Sequence, residues 1–298
     1  MGHDGEVVDR VGRYRVIDCR GCGFVHIDPV PAERELAGVY EREYYEYEKP
    51  EFIERQREDL EWWNLVFDER LEVMEEVVGP GRRRLLDVGC GPGFFLRRAA
   101  GRGWRGVGIE PSKAAGAHAR SMGVEVMEGF FNDLSGGLGE RSFDAVHLSE
   151  VLEHVPDPAG LMEGVFGLLA PGGVVCVAAP NDYSPVQKVL RRRLGFGPYW
   201  LAPPHHINYF TFESLGALVR RAGFAELRPV ATFPMDFFLL MGEDYVGDDA
   251  LGRRCHAKRK RLEMMLAEPE LKDFKRELYR LMADHSVGRE AVVFGVKP

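Results

Sequence analysis

Five cysteines in 298 residues, an odd and scattered set, exclude the disulfide framework of a small secreted domain. No apolar run approaches the roughly 18 residues that span a bilayer, so no membrane insertion is expected. The N-terminus opens on charged and polar residues rather than the apolar stretch of a secretory leader, and the expected location is cytoplasmic. An excess of positive charge is also missing. The net charge of −8 argues against nucleic acid as a partner. Internal repeats and low-complexity segments are not found. What is present is a globular composition, 45% hydrophobic and 29% charged, sufficient for one large domain or two small ones.

Three zones follow one another along the chain. Residues 1–31 contain short strand-like pieces, Tyr14–Ile17 and Phe24–Ile27, around a turn from Cys19 to Gly23, closed by Pro29 and Pro31. Residues 32–81 are expected to be helical. Leu36, Val39 and Tyr40, then Phe52, Leu60, Trp63 and Phe67, recur at helical spacing, and Gly79-Pro80-Gly81 ends the stretch. From residue 82 the pattern changes to short apolar runs, Leu85–Val88, Gly106–Ile109, Val124–Met127, Ala145–Leu148 and Val174–Ala178, separated by helix-compatible segments. Buried runs alternating with helices imply parallel β-α units with helices on both faces of a sheet. Two further apolar runs, Phe224–Phe233 and Phe237–Met241, are followed by a basic helical stretch over about 250–285 and by a run, Ala291–Val296, that reads as a last strand. Insertions at 181–210 and 242–288 interrupt this zone. Segments of that length are commonly lids or substrate-side elements.

Sheets of this kind bind ligands outside the carboxyl ends of their strands, so chemistry belongs at the strand-to-loop junctions. The first junction reads Leu85-Leu86-Asp87-Val88-Gly89-Cys90-Gly91-Pro92-Gly93. Its alternating glycines allow a sharp turn and close approach of a ligand. A dinucleotide loop would place glycine at position 94, where Phe94 stands. Pro92 lacks the N–H a pyrophosphate would use. Asp87 would repel phosphate but suits a cation.

Asp87 through Gly93 resembles the first motif of the class I S-adenosylmethionine-dependent methyltransferases, and the resemblance continues in register over most of the chain. It implies a doubly wound, mostly parallel, seven-stranded α/β sheet (a Rossmann-like methyltransferase fold) over 82–298, with S-adenosyl-L-methionine as cofactor. Asp87, Gly89, Cys90, Gly91 and Gly93 would then bind the cofactor. Glu110, followed by Pro111, would bind the ribose hydroxyls, while Ser112 could cap the next helix. Phe130 stands where many members have an acid, so Phe130 and Phe131 would recognise adenine by stacking and backbone contacts. Ser149, Glu150 and His154 resemble the segment lining the methionine end, and Pro171-Gly172-Gly173 resembles the turn before the fifth strand.

Pro203-Pro204-His205-His206-Ile207-Asn208-Tyr209-Phe210 is similar to a segment of sugar C-methyltransferases, in which Glu-His precedes a Tyr-Phe pair. The similarity implies His206 as a base for the acceptor, with His205 in place of the glutamate and Tyr209 beside them. An imidazole titrating near neutrality suits that task. On an extended chain only one of the two histidines can face the cofactor. Alternatively, the pair caps the helix beginning near Thr211 or packs on Trp200.

Cys19-x-x-Cys22 resembles half of the N-terminal zinc knuckle that related methyltransferases carry. The second cysteine pair is missing upstream, and only His3 and His26 lie close enough in sequence to complete four ligands. The incomplete set favours a metal-free remnant over a bound zinc. Arg191–Arg193 and the run Arg253, Arg254, Lys258–Arg261 are ordinarily solvated helix faces. Folded over the cleft, they would favour a phosphorylated acceptor.

The sequence therefore points to methyl transfer onto a small molecule, such as a nucleotide-linked sugar or another natural-product or envelope precursor. A cofactor-binding protein without transfer activity and a dinucleotide-dependent oxidoreductase are the rivals. Oligomeric state and the atom methylated stay open.

Overall fold

A computed structural model describes residues 3–31, 51–139 and 143–298. The helical expectation at Leu36, Val39 and Tyr40 lies outside them. Two compact units interleave along the chain, one made of residues 1–30, 178–217 and 228–293, the other of 31–177, 218–227 and 294–298.

The second unit begins, among the described residues, with α1 (Phe52–Glu58) and α2 (Leu60–Val78). On α2, Trp62, Val66, Phe67, Arg70, Leu71, Met74 and Val78 are buried, the three-and-four spacing of a helix with one inward face. Alternating elements follow: β4 (Arg84–Val88), α3 (Phe94–Gly101), β5 (Arg105–Glu110), α4 (Lys113–Ser121), β6 (Glu125–Glu128), α5 (Phe131–Leu134), β7 (Phe143–Ser149), α6 (Pro158–Leu168) and β8 (Leu169–Pro180). Strand β4 pairs in parallel with β5 and with β7, and β5 with β6. The full order of the seven-stranded sheet is β10-β11-β8-β7-β4-β5-β6, with β10 at Ala225–Ala231 and β11 at Glu290–Val296. Growth in one direction from β4 through β5 and β6 gives way to growth in the other through β7. The switch point beside β4 is where such folds open a crevice.

Short polar residues start the helices. Ser112 Oγ accepts from Ala115 N at 3.4 Å, as the sequence suggested, and Asp157 accepts from Gly160 N at 2.9 Å, with Pro158 opening α6. Each such cap contributes about 1 kcal/mol.

In the first unit, β1 (Gly5–Val11), β2 (Tyr14–Cys19) and β3 (Phe24–Asp28) form an antiparallel meander. A two-residue strand from the 181–210 insertion, β9 (Asn208–Tyr209), extends it to a four-stranded sheet by pairing with β3. The insertion also supplies α7 (Pro185–Leu194), opened by a reciprocal capping box between Ser184 and Gln187. Helix α8 spans Phe212–Arg221, and its start is capped by Thr211, whose Oγ1 accepts from Ser214 N at 3.1 Å.

The second apolar run is helical: Asp236–Leu240 forms the short helix α9. The basic stretch is two helices, α10 (Asp249–Leu266) and α11 (Lys272–Asp284), which bury Cys255 and Tyr279 against Phe233 and Phe238. No helix among the described residues is long and apolar enough to cross a membrane.

Candidate cofactor site

A cavity of about 310 Å³ opens in the second unit at the carboxyl ends of β4, β5, β6 and β7, a size in the range of ordinary ligand sites. It begins with the loop after β4. Gly89 and Gly91 take positive φ, +70° and +51°, which only glycine adopts without strain. A Cβ on Gly89 would stand 2.7 Å from Val151 Cγ2. Gly93 also has positive φ, but it does not line the cavity; a Cβ there would stand 2.6 Å from Ala119 Cβ. Its lack of a side chain seats α3 against α4.

Glu110, at the end of β5, holds the loop. One carboxylate oxygen accepts from Gly91 N and the other from Ser112 N, both at 2.8 Å. Burial pushes its carboxyl up to about 7, with Asp87 adding to the rise, while the two N–H groups oppose it. Each oxygen keeps a second lone pair for a ligand hydroxyl.

Asp87 lies within a relay that no sequence motif announced. His147, in the middle of β7, approaches Asp87 Oδ1 through Nδ1 at 2.7 Å, and Arg70 Nη1 approaches His147 Nε2 at 3.1 Å. An arginine can only donate, so Nε2 accepts and Nδ1 carries the proton given to Asp87. Arg70 also donates to Ser149 Oγ at 2.9 Å, and Phe95 stacks on the His147 ring at 3.8 Å. The relay fixes the carboxylate while leaving its remaining lone pairs for a ligand.

The other sequence candidates fall around the same space: Cys90, Pro111, Phe130, Phe131, Ser149, Glu150 and His154 all line it. Glu150 has φ +56°, a backbone strain of the kind that collects at ligand sites. Phe52, Gln56, Trp63 and Phe67 close the cavity from α1 and α2, a contribution that helical periodicity alone could not assign. Asp87, Glu110, Glu150 and Asp157 supply carboxylates, and the lining holds no lysine or arginine among the described residues. Such a surface repels phosphate and attracts a cation.

His205, His206 and Tyr209 belong to the first unit. The backbone at His205 is not extended. Residues 203–205 form a turn, closed by His206 N donating to Ala202 O at 3.0 Å, because two prolines bend the chain there. Tyr209 is buried and donates through its hydroxyl to His206 O at 2.9 Å; burial raises its phenol pKa. The basic runs have structural partners. Arg191 makes two bonds to Asp9, 2.8 and 2.5 Å, Lys258 pairs with Glu243, and Arg259 forms a buried pair with Glu263 at 2.9 Å.

A parallel sheet that reverses at β4, a phosphate-averse glycine loop and a strand-end acid on the following strand define a nucleoside-cofactor domain built for a cationic ligand. Residues 42–228 match the family described as a methyltransferase domain, and the chain belongs to that family, within the class I S-adenosylmethionine-dependent methyltransferases. A ubiquinone biosynthesis O-methyltransferase from Alkalilimnicola ehrlichii is 43% identical over 105 residues, 33% of this chain and 42% of that protein. A trans-aconitate 2-methyltransferase from Methylobacterium radiotolerans is 31% identical over 131 residues, 43% of this chain and 50% of that protein. The chain thus spans half or less of the length of these relatives. A crystal structure of a SAM-dependent methyltransferase from Archaeoglobus fulgidus superposes with TM-score 0.52 at 15% identity, covering 78% of this chain and 94% of that one. At that identity the likeness is one of fold.

Proposed function

We propose that this protein transfers the methyl group of S-adenosylmethionine to a small-molecule acceptor. The observation that carries the reading is the acid-lined cavity free of lysine and arginine among the described residues, a match for a ligand with an ammonium, a sulfonium and no phosphate. Glu110 receives the ribose hydroxyls on the lone pairs that Gly91 and Ser112 leave open. Asp87, held by His147, faces the ammonium together with Glu150. Phe130 and Phe131 flank the adenine. The bound cofactor supplies an activated methyl group; the chain's residues orient it and exclude water. Proximity and alignment provide most of the acceleration, with His206 taking the acceptor's proton. The acceptor class extends from the small molecules of the named relatives to the nucleotide-linked sugars suggested by the His205–Phe210 segment.

Two measurements test the cofactor assignment. S-adenosylhomocysteine should raise the melting temperature with increasing concentration, since a ligand bound only to the folded state stabilises it by mass action. A nicotinamide dinucleotide should not, and the reverse ranking would return the oxidoreductase reading.

The second is a pH titration of affinity. The unliganded Glu110 carboxyl titrates at about 7, and ribose hydroxyls donate best to its ionised form. S-adenosylhomocysteine affinity should therefore rise as pH increases through about 7, by at most tenfold per unit for one proton. Glu110→Gln should flatten that limb. The linked stability effect has the opposite sense. A carboxyl whose folded pKa exceeds its unfolded value binds protons more tightly in the native state, so unliganded stability falls as pH rises from about 4.5 to 7. An affinity independent of pH in the wild type would remove Glu110 from the ligand's contacts.

A further inference from the structure

We propose that His3, Cys19, Cys22 and His26 bind one zinc ion as a four-ligand structural site. Their donor atoms all lie within 4.8 Å of one another. His3 Nδ1 stands 3.1 Å from His26 Nε2, 3.5 Å from Cys22 Sγ and 3.9 Å from Cys19 Sγ. Ordinary zinc bond lengths in a tetrahedron place nitrogen about 3.3 Å from nitrogen and about 3.6 Å from sulfur. The three separations fall around those values.

Hydrogen bonding alone does not account for this convergence. An imidazole nitrogen has one proton or one lone pair, so His3 Nδ1 can form only one of the three contacts as a hydrogen bond. A shared cation satisfies all of them together. His26 is prepared for such an ion. It is buried, and its Nδ1 lies 2.8 Å from Ile27 O, which fixes the proton on Nδ1 and turns the Nε2 lone pair toward His3. That carbonyl support is the usual outer partner of a metal-bound histidine.

The local sequence builds the site. Gly23 takes φ +77° and donates to Cys19 O at 2.8 Å, closing the turn that brings both sulfurs to one side. Gly5 pairs with Cys19 across β1 and β2, and any Cβ there would collide with Asp18 O. The close strand approach carries His3 over the turn, and Arg20 N donating to Asp4 O at 3.0 Å holds it there. The upstream cysteine pair absent from the sequence is thus replaced by two histidines, one on each side of the Cys-x-x-Cys turn. Four protein ligands leave no open position, so the ion is structural. It ties residue 3 to β3, the strand whose His26 pairs with Asn208 and whose Ile27 N donates to Ile207 O at 2.9 Å. The segment carrying His206 is thereby joined to the strand that bears a zinc ligand.

The full chain, purified without an affinity tag that binds metal, should contain one zinc per molecule by elemental mass spectrometry. Cobalt(II) in its place should show the intense ligand-field bands of a four-coordinate ion and thiolate-to-cobalt charge transfer. His3 is exposed and outside the core, so His3→Ala should fold yet lose stoichiometric metal, and His3→Cys should restore it. A chelator should lower the melting temperature of the wild type and leave that of Cys22→Ser unchanged. A six-coordinate cobalt spectrum, or zinc affinity equal in wild type, His3→Ala and Cys22→Ser, would overturn the site.

Discussion

Gly91→Val should lower affinity for S-adenosylhomocysteine by at least about 100-fold, close to 2.7 kcal/mol, in a protein that still folds. Gly91 has φ +51°, lines the cavity and donates its N–H to Glu110. A β-branched residue cannot hold that conformation without strain, so the loop that lines the cavity must shift. Strain alone would also destabilise the protein, by about 1–3 kcal/mol, and a control is required. Gly103 has φ +88° with nothing within 4 Å of a built Cβ. Gly103→Val therefore carries a comparable backbone penalty away from the cavity. Calorimetry should find the ligand bound normally by the Gly103 variant and lost from the Gly91 variant. Equal affinities in the two would dissociate the glycine loop from cofactor binding.

The second large effect concerns transfer rather than binding. With an acceptor in hand, His206→Ala should bind S-adenosylmethionine as the wild type does but transfer the methyl group about 100-fold more slowly in a single turnover, the low end for a general base. The turn at residues 203–205 withdraws the geometric reason for discounting His205, so His205→Ala belongs in the same experiment. Near-normal rates in both variants would reduce the pair to structural histidines and leave proximity as the source of catalysis.

Much of the fold was legible because each β-α junction carries its own local signal. The run Leu85–Val88 followed by alternating glycines, and Glu110 closing the next run, needed no knowledge of tertiary contacts. The ends of β4 and β5 are where those residues stand. The Asp87–His147–Arg70 relay could not be read this way, since it joins a helix, a strand end and a strand interior 60 to 77 residues apart. A histidine within the apolar run Ala145–Leu148 was its one visible trace. Asp236–Leu240 was ambiguous for another reason. Five residues of mixed apolar character are too few for a period of two to be told from one of 3.6. The pairing of β3 with the two-residue β9 lies below any pattern signal. In β5, glycines that weaken strand propensity serve packing. A Cβ at Gly106 would stand 2.6 Å from Leu96 Cδ2, and one at Gly108 would collide with Cys90 Sγ. The cysteine pair shows the same limit. The four zinc-binding candidates could be named from sequence, but their convergence depends on how closely Gly5 lets β1 approach β2.

We expect the acid-lined cavity at the ends of β4 to β7 to hold S-adenosylmethionine. A crystal structure with S-adenosylhomocysteine tests it most directly. The ribose hydroxyls should lie on Glu110, the adenine beside Phe130 and Phe131, and the ammonium on the Asp87 side of the glycine loop. A cofactor bound elsewhere, or one whose ribose and ammonium avoid both carboxylates, would contradict it.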